Sequence, residues 1–263
     1  MADETLDPRR HLALESAQNM RDLGGYSTTD GRKTEWCRFL RCATMDQLTA
    51  DDQRRLVQYG VGAVVDLRAP SEVERMPNAF AQSNEVTHHN FDFWGDNVDD
   101  FKSSPSSLGQ AEKLADLYRV GLDTCGGIIE EILTTLANGK DHTVVFHCGA
   151  GKDRTGLIAA LLLGIAGVPH ETIAADFALT ELYLDEPNRD HENPNPLAIP
   201  NPDSEQQQAW AVPLPVYMFS CLPQTMLLAL EYLDEKYTGV EGYLRTIGLS
   251  DELINRLRAK LLA

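Results

Sequence analysis

The chain has 263 residues, 43% hydrophobic and 24% charged, which is enough apolar material for an ordinary core without disulfide or metal staples. Against 23 basic residues stand 40 acidic ones, a formal net charge of -17. Such a surface repels nucleic acid and anionic lipid head groups at long range, so neither a nucleic-acid partner nor stable membrane binding is expected.

One elaborated domain over residues 1–263 is expected from the length. Met1 to Arg10 is polar and acidic, unlike an apolar signal segment. The cysteines are Cys37, Cys42, Cys125, Cys148 and Cys221. Their number is odd and their spacing fits no zinc pattern, so a reducing cytoplasm is expected, with signal-less export left open. No run approaches the roughly 18 apolar residues of a membrane helix.

In chain order, Trp36 to Arg41 is a weak strand candidate. Thr49 then caps a helix reaching about Tyr59, with acids in its first turn. Gly62 to Leu67 reads as a short buried strand and Glu85 to Phe91 as a weaker one. A helical pattern spans roughly Gln110 to Ala137, with an interruption expected at Gly126-Gly127. Thr143 to Phe146 is the second buried strand. Arg154 to Ala166 is almost wholly apolar and reads as a buried helix stopped by Gly167-Val168-Pro169.

His170 to Leu184 follows as a helix. Residues 185–215 then carry many prolines with Asn and Asp and cannot be one regular element; an ordered lid and a surface excursion are equal alternatives. Gln224 to Lys236 and Ser250 to Leu262 close the chain as helices. Strands alternating with helices predict an α/β fold, a central mostly parallel sheet flanked by helices.

The chemistry concentrates at His147-Cys148-Gly149-Ala150-Gly151-Lys152-Asp153-Arg154-Thr155-Gly156. Gly149, Ala150 and Gly151 let the backbone curl after a buried strand and turn its amides inward. Those amides and the start of the next helix make a concave anion site. Arg154 is able to reach back over the cradle and grip two phosphate oxygens. The same positive field favours the thiolate of Cys148. His147 is expected to hold the loop, and Thr155 to donate a hydrogen bond to the departing sulfur.

The alternative, an inert buried cysteine in a glycine turn, suits the other four cysteines better. Gly151-Lys152 is not a nucleotide-binding loop, because Phe146 and Asp153 stand where that motif needs glycine and Ser or Thr.

His147-Cys148, five residues, then Arg154-Thr155 resembles the signature of the protein tyrosine phosphatase superfamily. Asn19 to Tyr26, Arg38 to Ala43, Leu48-Thr49, Val64 to Arg68 with Glu72, and Tyr243 to Ser250 extend the likeness over nearly the whole chain. They resemble the bacterial tyrosine/serine and phosphoinositide phosphatases.

The resemblance implies a phosphocysteine mechanism without metal or other cofactor. Cys148 would be the nucleophile and Arg154 the clamp on the equatorial oxygens. Gly149, Ala150, Gly151, Lys152, Asp153 and Arg154 would form the phosphate site. For the general acid Asp153 comes first, Asp66 second, and Asp92 or Asp96 third. Asp66 and Arg68 read equally well as a structural ion pair supporting the loop. Arg21 and Asp22 read better as a turn-stabilising pair.

Lys152 resembles a lysine of inositol-lipid phosphatases and is expected to bind phosphate, or else to be solvated. The implied substrates are phosphorylated proteins, phosphotyrosine first, or phosphoinositides. A dedicated phosphoinositide phosphatase and a non-catalytic phosphate-binding module are the alternatives; an intact nucleophile argues against the second.

Overall fold

A computed structural model describes residues 4–95, 109–139, 141–184 and 216–262. Asp96 and residues 185–215 lie outside the described residues. Among the described residues five strands form one sheet: β1 (Arg21–Asp22), β2 (Phe39–Cys42), β3 (Val61–Asp66), β4 (Thr87–Asn90) and β5 (Thr143–His147). Their order is β1-β2-β5-β3-β4. Only β1 runs antiparallel to its neighbour; β2, β5, β3 and β4 are mutually parallel. The expected mostly parallel sheet is therefore present, with β5 at its centre.

The helices are α1 (Ala50–Tyr59), α2 (Pro70–Arg75), α3 (Gln110–Thr124), α4 (Gly126–Asn138), α5 (Asp153–Ile165), α6 (His170–Leu184), α7 (Pro223–Tyr237), α8 (Val240–Thr246) and α9 (Asp251–Leu262). At the start of α1, Thr49 Oγ1 accepts from Asp52 N while Asp52 Oδ2 accepts from Thr49 N, a reciprocal cap. Gly60 ends it at φ +102. The expected interruption near Gly126-Gly127 falls at Cys125, between α3 and α4. A Cβ on Gly126 would stand 2.8 Å from Ile247 Cγ2, so the bare glycine lets the end of α8 approach. The short β1, α2 and α8 are not anticipated by pattern, because two to seven residues are too few to show a period.

Alternate residues of each strand face opposite sides. Phe39, Val65 and Phe146 join the larger core under α3 to α9. Leu40, Val64 and Val145 face the other side, against Leu56 of α1 and Met20 of the N-terminal segment. Helix α5 lies between the sheet and α6, α8 and α9, which explains why its sequence is apolar on all sides. No described helix is long and apolar enough to cross a membrane.

Candidate active site

The carboxyl end of β5 opens directly into the loop, where open parallel sheets place their ligand crevices. His147 pairs in register with Cys42 of β2 on one side and Asp66 of β3 on the other. Cys148 follows, 2% exposed, and Lys152 ends the loop as the cap of α5.

The loop is held from outside by its carbonyls. Thr44 N donates to Gly149 O at 2.8 Å. Asn19 Nδ2 donates to Ala150 O at 3.0 Å and Gly151 O at 3.2 Å. Arg41 Nη2 donates to Gly151 O at 2.8 Å. With the carbonyls pulled outward, the amides of Gly149, Ala150, Gly151, Lys152, Asp153 and Arg154 meet no acceptor among the described residues. Such a row of free amides at a helix N-terminus is an anion cradle. Gly151 is indispensable to it: its φ is +68, and a Cβ there would stand 2.2 Å from Cys42 O.

Arg154 is pinned by Glu72 of α2, Nη1 to Oε2 at 2.6 Å and Nη2 to Oε1 at 3.1 Å. Burial opposes the Arg154 charge, but the neighbouring Cys148 and Glu72 raise its proton affinity above the ordinary arginine value. Burial likewise works against the Glu72 carboxylate, and Arg154 nevertheless lowers it.

Beneath the loop lies a buried charge cluster. Asp176 of α6 accepts from Arg21 Nε at 3.0 Å, Arg41 Nη1 at 2.6 Å and the Tyr26 hydroxyl at 2.8 Å. Burial raises the Asp176 carboxyl, yet the two guanidiniums hold it well below the usual carboxylate range. Burial pushes Arg41 down to about 10, helped by Arg21 and resisted by Asp176. Two buried cations facing one anion leave a net positive charge under the cradle.

Arg21 and Asp22 are not a pair with each other. Arg21 belongs to this cluster, and Asp22 accepts instead from Gly24 N, Cys37 N and the Tyr59 hydroxyl. The reason is the strand: adjacent side chains point to opposite faces.

Asp66 and Arg68 do form an ion pair, fully buried, with Nη2 to Oδ2 at 2.7 Å and Nε to Oδ1 at 2.9 Å. Burial would raise the Asp66 carboxyl, but the hydrogen bonds from Arg68 hold it well below the usual range. Of the two readings of Asp66, this geometry supports the structural one. Arg68 Nη1 reaches on to Thr44 Oγ1 at 3.0 Å, the same residue whose N–H holds Gly149 O.

His147 is buried. Phe80 N donates to Asn78 Oδ1, which turns Asn78 Nδ2 toward His147 Nε2 at 2.8 Å. Nε2 is then an acceptor, and Nδ1–H donates to Cys148 O at 3.0 Å. Burial depresses the imidazole, so it stays neutral in this role.

Asp153 lies at the first position of α5, its Oδ1 2.7 Å from the Tyr118 hydroxyl. The Lys152 ammonium is buried rather than solvated. It donates to Met218 O at 2.6 Å and Ser220 O at 3.0 Å and lies 3.2 Å from Asp153 Oδ1. Thr155 Oγ1 is buried without a hydrogen-bond partner among the described residues. Among the described residues, Asp92 has no hydrogen bond to this group; its Oδ1 accepts from Gly95 N at 3.1 Å.

Sequence reasoning quoted Asn19, Arg41 and Glu72 as motif residues without assigning them a part, and it missed Tyr118, Asn78 and Asp176. Asp176 alone left a signal: it is a lone acid in the apolar run between Ala174-Ala175 and Phe177-Ala178.

A buried cysteine and a clamped arginine around a cradle of free amides define a cysteine-based phosphate-ester site. The model of the tyrosine phosphatase family matches residues 12–263. A tyrosine-protein phosphatase of Nostoc commune is 30% identical over 229 residues, 85% of this chain and 74% of that protein. The triple specificity protein phosphatase PtpB of Mycobacterium tuberculosis is 28% identical over 95% of this chain and 98% of its own length. A putative tyrosine-protein phosphatase of Cupriavidus necator is 31% identical over 67% of this chain and 65% of its own. The chain belongs to the tyrosine phosphatase family, and it is a cysteine-based phosphatase acting on phosphorylated substrates.

Proposed function

We propose that the whole chain works as one catalytic domain that hydrolyses phosphotyrosine in proteins, with activity toward phosphoserine, phosphothreonine and phosphoinositides. Cys148 Sγ attacks phosphorus as the ester P–O bond breaks, forming the S–P bond of a phosphocysteine. Asp153 gives its proton to the leaving oxygen. A water then attacks phosphorus, returns a proton to Asp153, and releases phosphate and the thiolate.

Arg154 and the amides of Gly149 to Arg154 carry the charge of the equatorial oxygens. His147 and the Asp66–Arg68 pair hold the loop, and the Thr155 hydroxyl supports the departing sulfur. The observation that carries this reading is the cradle itself: six consecutive amides without acceptors among the described residues, beside Cys148, with Arg154 fixed by Glu72. We place the enzyme in the cytoplasm.

Phosphotyrosine is preferred over a dedicated phosphoinositide activity because the Lys152 ammonium is already engaged by two carbonyls and Asp153. A second substrate phosphate would have to displace those contacts. The broad specificity named for the mycobacterial relative supports the wider substrate range.

The test is phosphate release from phosphotyrosine peptides, phosphoserine peptides and phosphoinositides by wild type and Cys148→Ser. Cys148→Ser is expected to bind substrate without turning it over; retained turnover rules out the phosphocysteine. A rate on phosphoinositides far above that on phosphotyrosine peptides would favour the lipid reading.

A further inference from the structure

The general acid is held by an arrangement that distinguishes its two oxygens. Tyr118 Oη donates to Asp153 Oδ1 at 2.7 Å, and Lys152 Nζ lies 3.2 Å from the same atom. Oδ2 has no hydrogen-bond partner among the described residues. We propose that Tyr118 and Lys152 are positioning residues that fix Oδ1 as the acceptor oxygen of Asp153 and so assign the transferable proton to Oδ2. This rests on the reading of Asp153 as the acid.

Both donors are themselves fixed. Tyr118 is fully buried on α3, its ring edge-on to Phe177 at 6.1 Å between centroids. Phe177 in turn packs on Gly156 of α5, where an added Cβ would lie 3.1 Å from its ring. The register between α3 and the start of α5 is therefore set by packing, and Asp153 is the hydroxyl's one hydrogen-bond partner among the described residues. Burial, and then the charge of Asp153, raise the phenol well above its ordinary value, so it stays a donor throughout the working range.

Lys152 is tied from the opposite side by Met218 O and Ser220 O. A proton on Oδ1 would point an O–H at two other donors. On Oδ2 it meets none, and it is free to pass to the leaving oxygen. When it leaves, the new carboxylate charge is already held at Oδ1; the same Oδ2 then takes the proton from the attacking water.

The experiment compares kcat and KM for aryl phosphates with good and poor leaving groups across pH, in wild type, Asp153→Asn, Tyr118→Phe and Lys152→Met. Asp153→Asn should lose rate mainly on poor leaving groups and lose the alkaline limb of the profile. If it does neither, Asp153 is not the acid and the underlying reading fails.

With that established, Tyr118→Phe, which keeps the ring, should lower kcat by about 10-fold on poor leaving groups with little change in KM, and move the alkaline limb to higher pH. An unchanged limb and an equal loss for all leaving groups would overturn the positioning role alone. Should Tyr118→Phe not fold, Lys152→Met decides: the same leaving-group-dependent fall in kcat supports the assignment. A raised KM at constant kcat makes Lys152 a phosphate ligand and overturns it.

Discussion

Glu72 grips Arg154 with both carboxylate oxygens, at 2.6 and 3.1 Å, from a helix of six residues that the sequence pattern does not reveal. The fork-to-fork geometry fixes the plane of the guanidinium, and Ala69 N donates to Glu72 Oε2 at 3.0 Å to hold the acid in turn. The arginine proposed to bind phosphate is thus aimed by a residue 82 positions away in the chain.

Glu72→Gln should therefore lower kcat/KM by about 10- to 100-fold, the worth of charge-assisted hydrogen bonds in the transition state. Thermal unfolding should barely change, because the side chain is one-quarter exposed. Steady-state kinetics beside a melting curve checks both halves; an activity loss matched by a large fall in Tm would point to a folding role instead.

Gly151→Ala should remove turnover by at least about 100-fold, since displacement of a catalytic loop by an ångström costs that much. The added methyl would collide with backbone, at 2.2 Å from Cys42 O, and the φ of +68 is costly for any L side chain. Gly149→Ala is a useful comparison, as Gly149 does not have a positive φ. Similar rates in both variants would mean that the tight approach of Gly151 is unimportant.

Asp176→Asn should destabilise the fold by about 3–5 kcal/mol, because Arg21 and Arg41 would remain buried without their counter-charge. Denaturant unfolding reads this directly. A loss below about 1 kcal/mol would show that the guanidiniums find other acceptors, such as Asp176 O and Asn19 O, sufficient.

Stability should fall steeply in acid. Asp66 and Asp176 both titrate below their ordinary range in the fold. A depressed carboxyl contributes stability that is complete above its unfolded value, about 4, and is lost as pH falls through the folded value. Asp22, raised by burial, has the opposite sign: its contribution is present at low pH and fades as pH rises through its folded value. Urea midpoints should thus hold from neutrality to about pH 4 and drop below it, and Asp66→Asn should flatten that drop. Midpoints that stay level below pH 4 would contradict the ion-paired assignment.

The longer strands and helices, the strand-loop-helix at Cys148 and the nearness of Asp66 to Arg68 were legible in the sequence alone. They depend on neighbours within a few residues, where periodicity, caps and glycines act directly. The sequence also singled out Lys152, but left its ammonium between phosphate and solvent. Packing decided for neither, bringing the carbonyls of Met218 and Ser220 to it.

The same holds for Glu72 on Arg154, Asp176 between Arg21 and Arg41, and Tyr118 on Asp153. Each is a pairing of charges or dipoles from elements far apart in the chain. What the sequence determined by itself was the loop from Cys148 to Arg154 and its place between a buried strand and a helix; what only the tertiary structure decided was which distant partners hold and charge-balance that loop, because those partnerships come into being when the helices pack on the sheet.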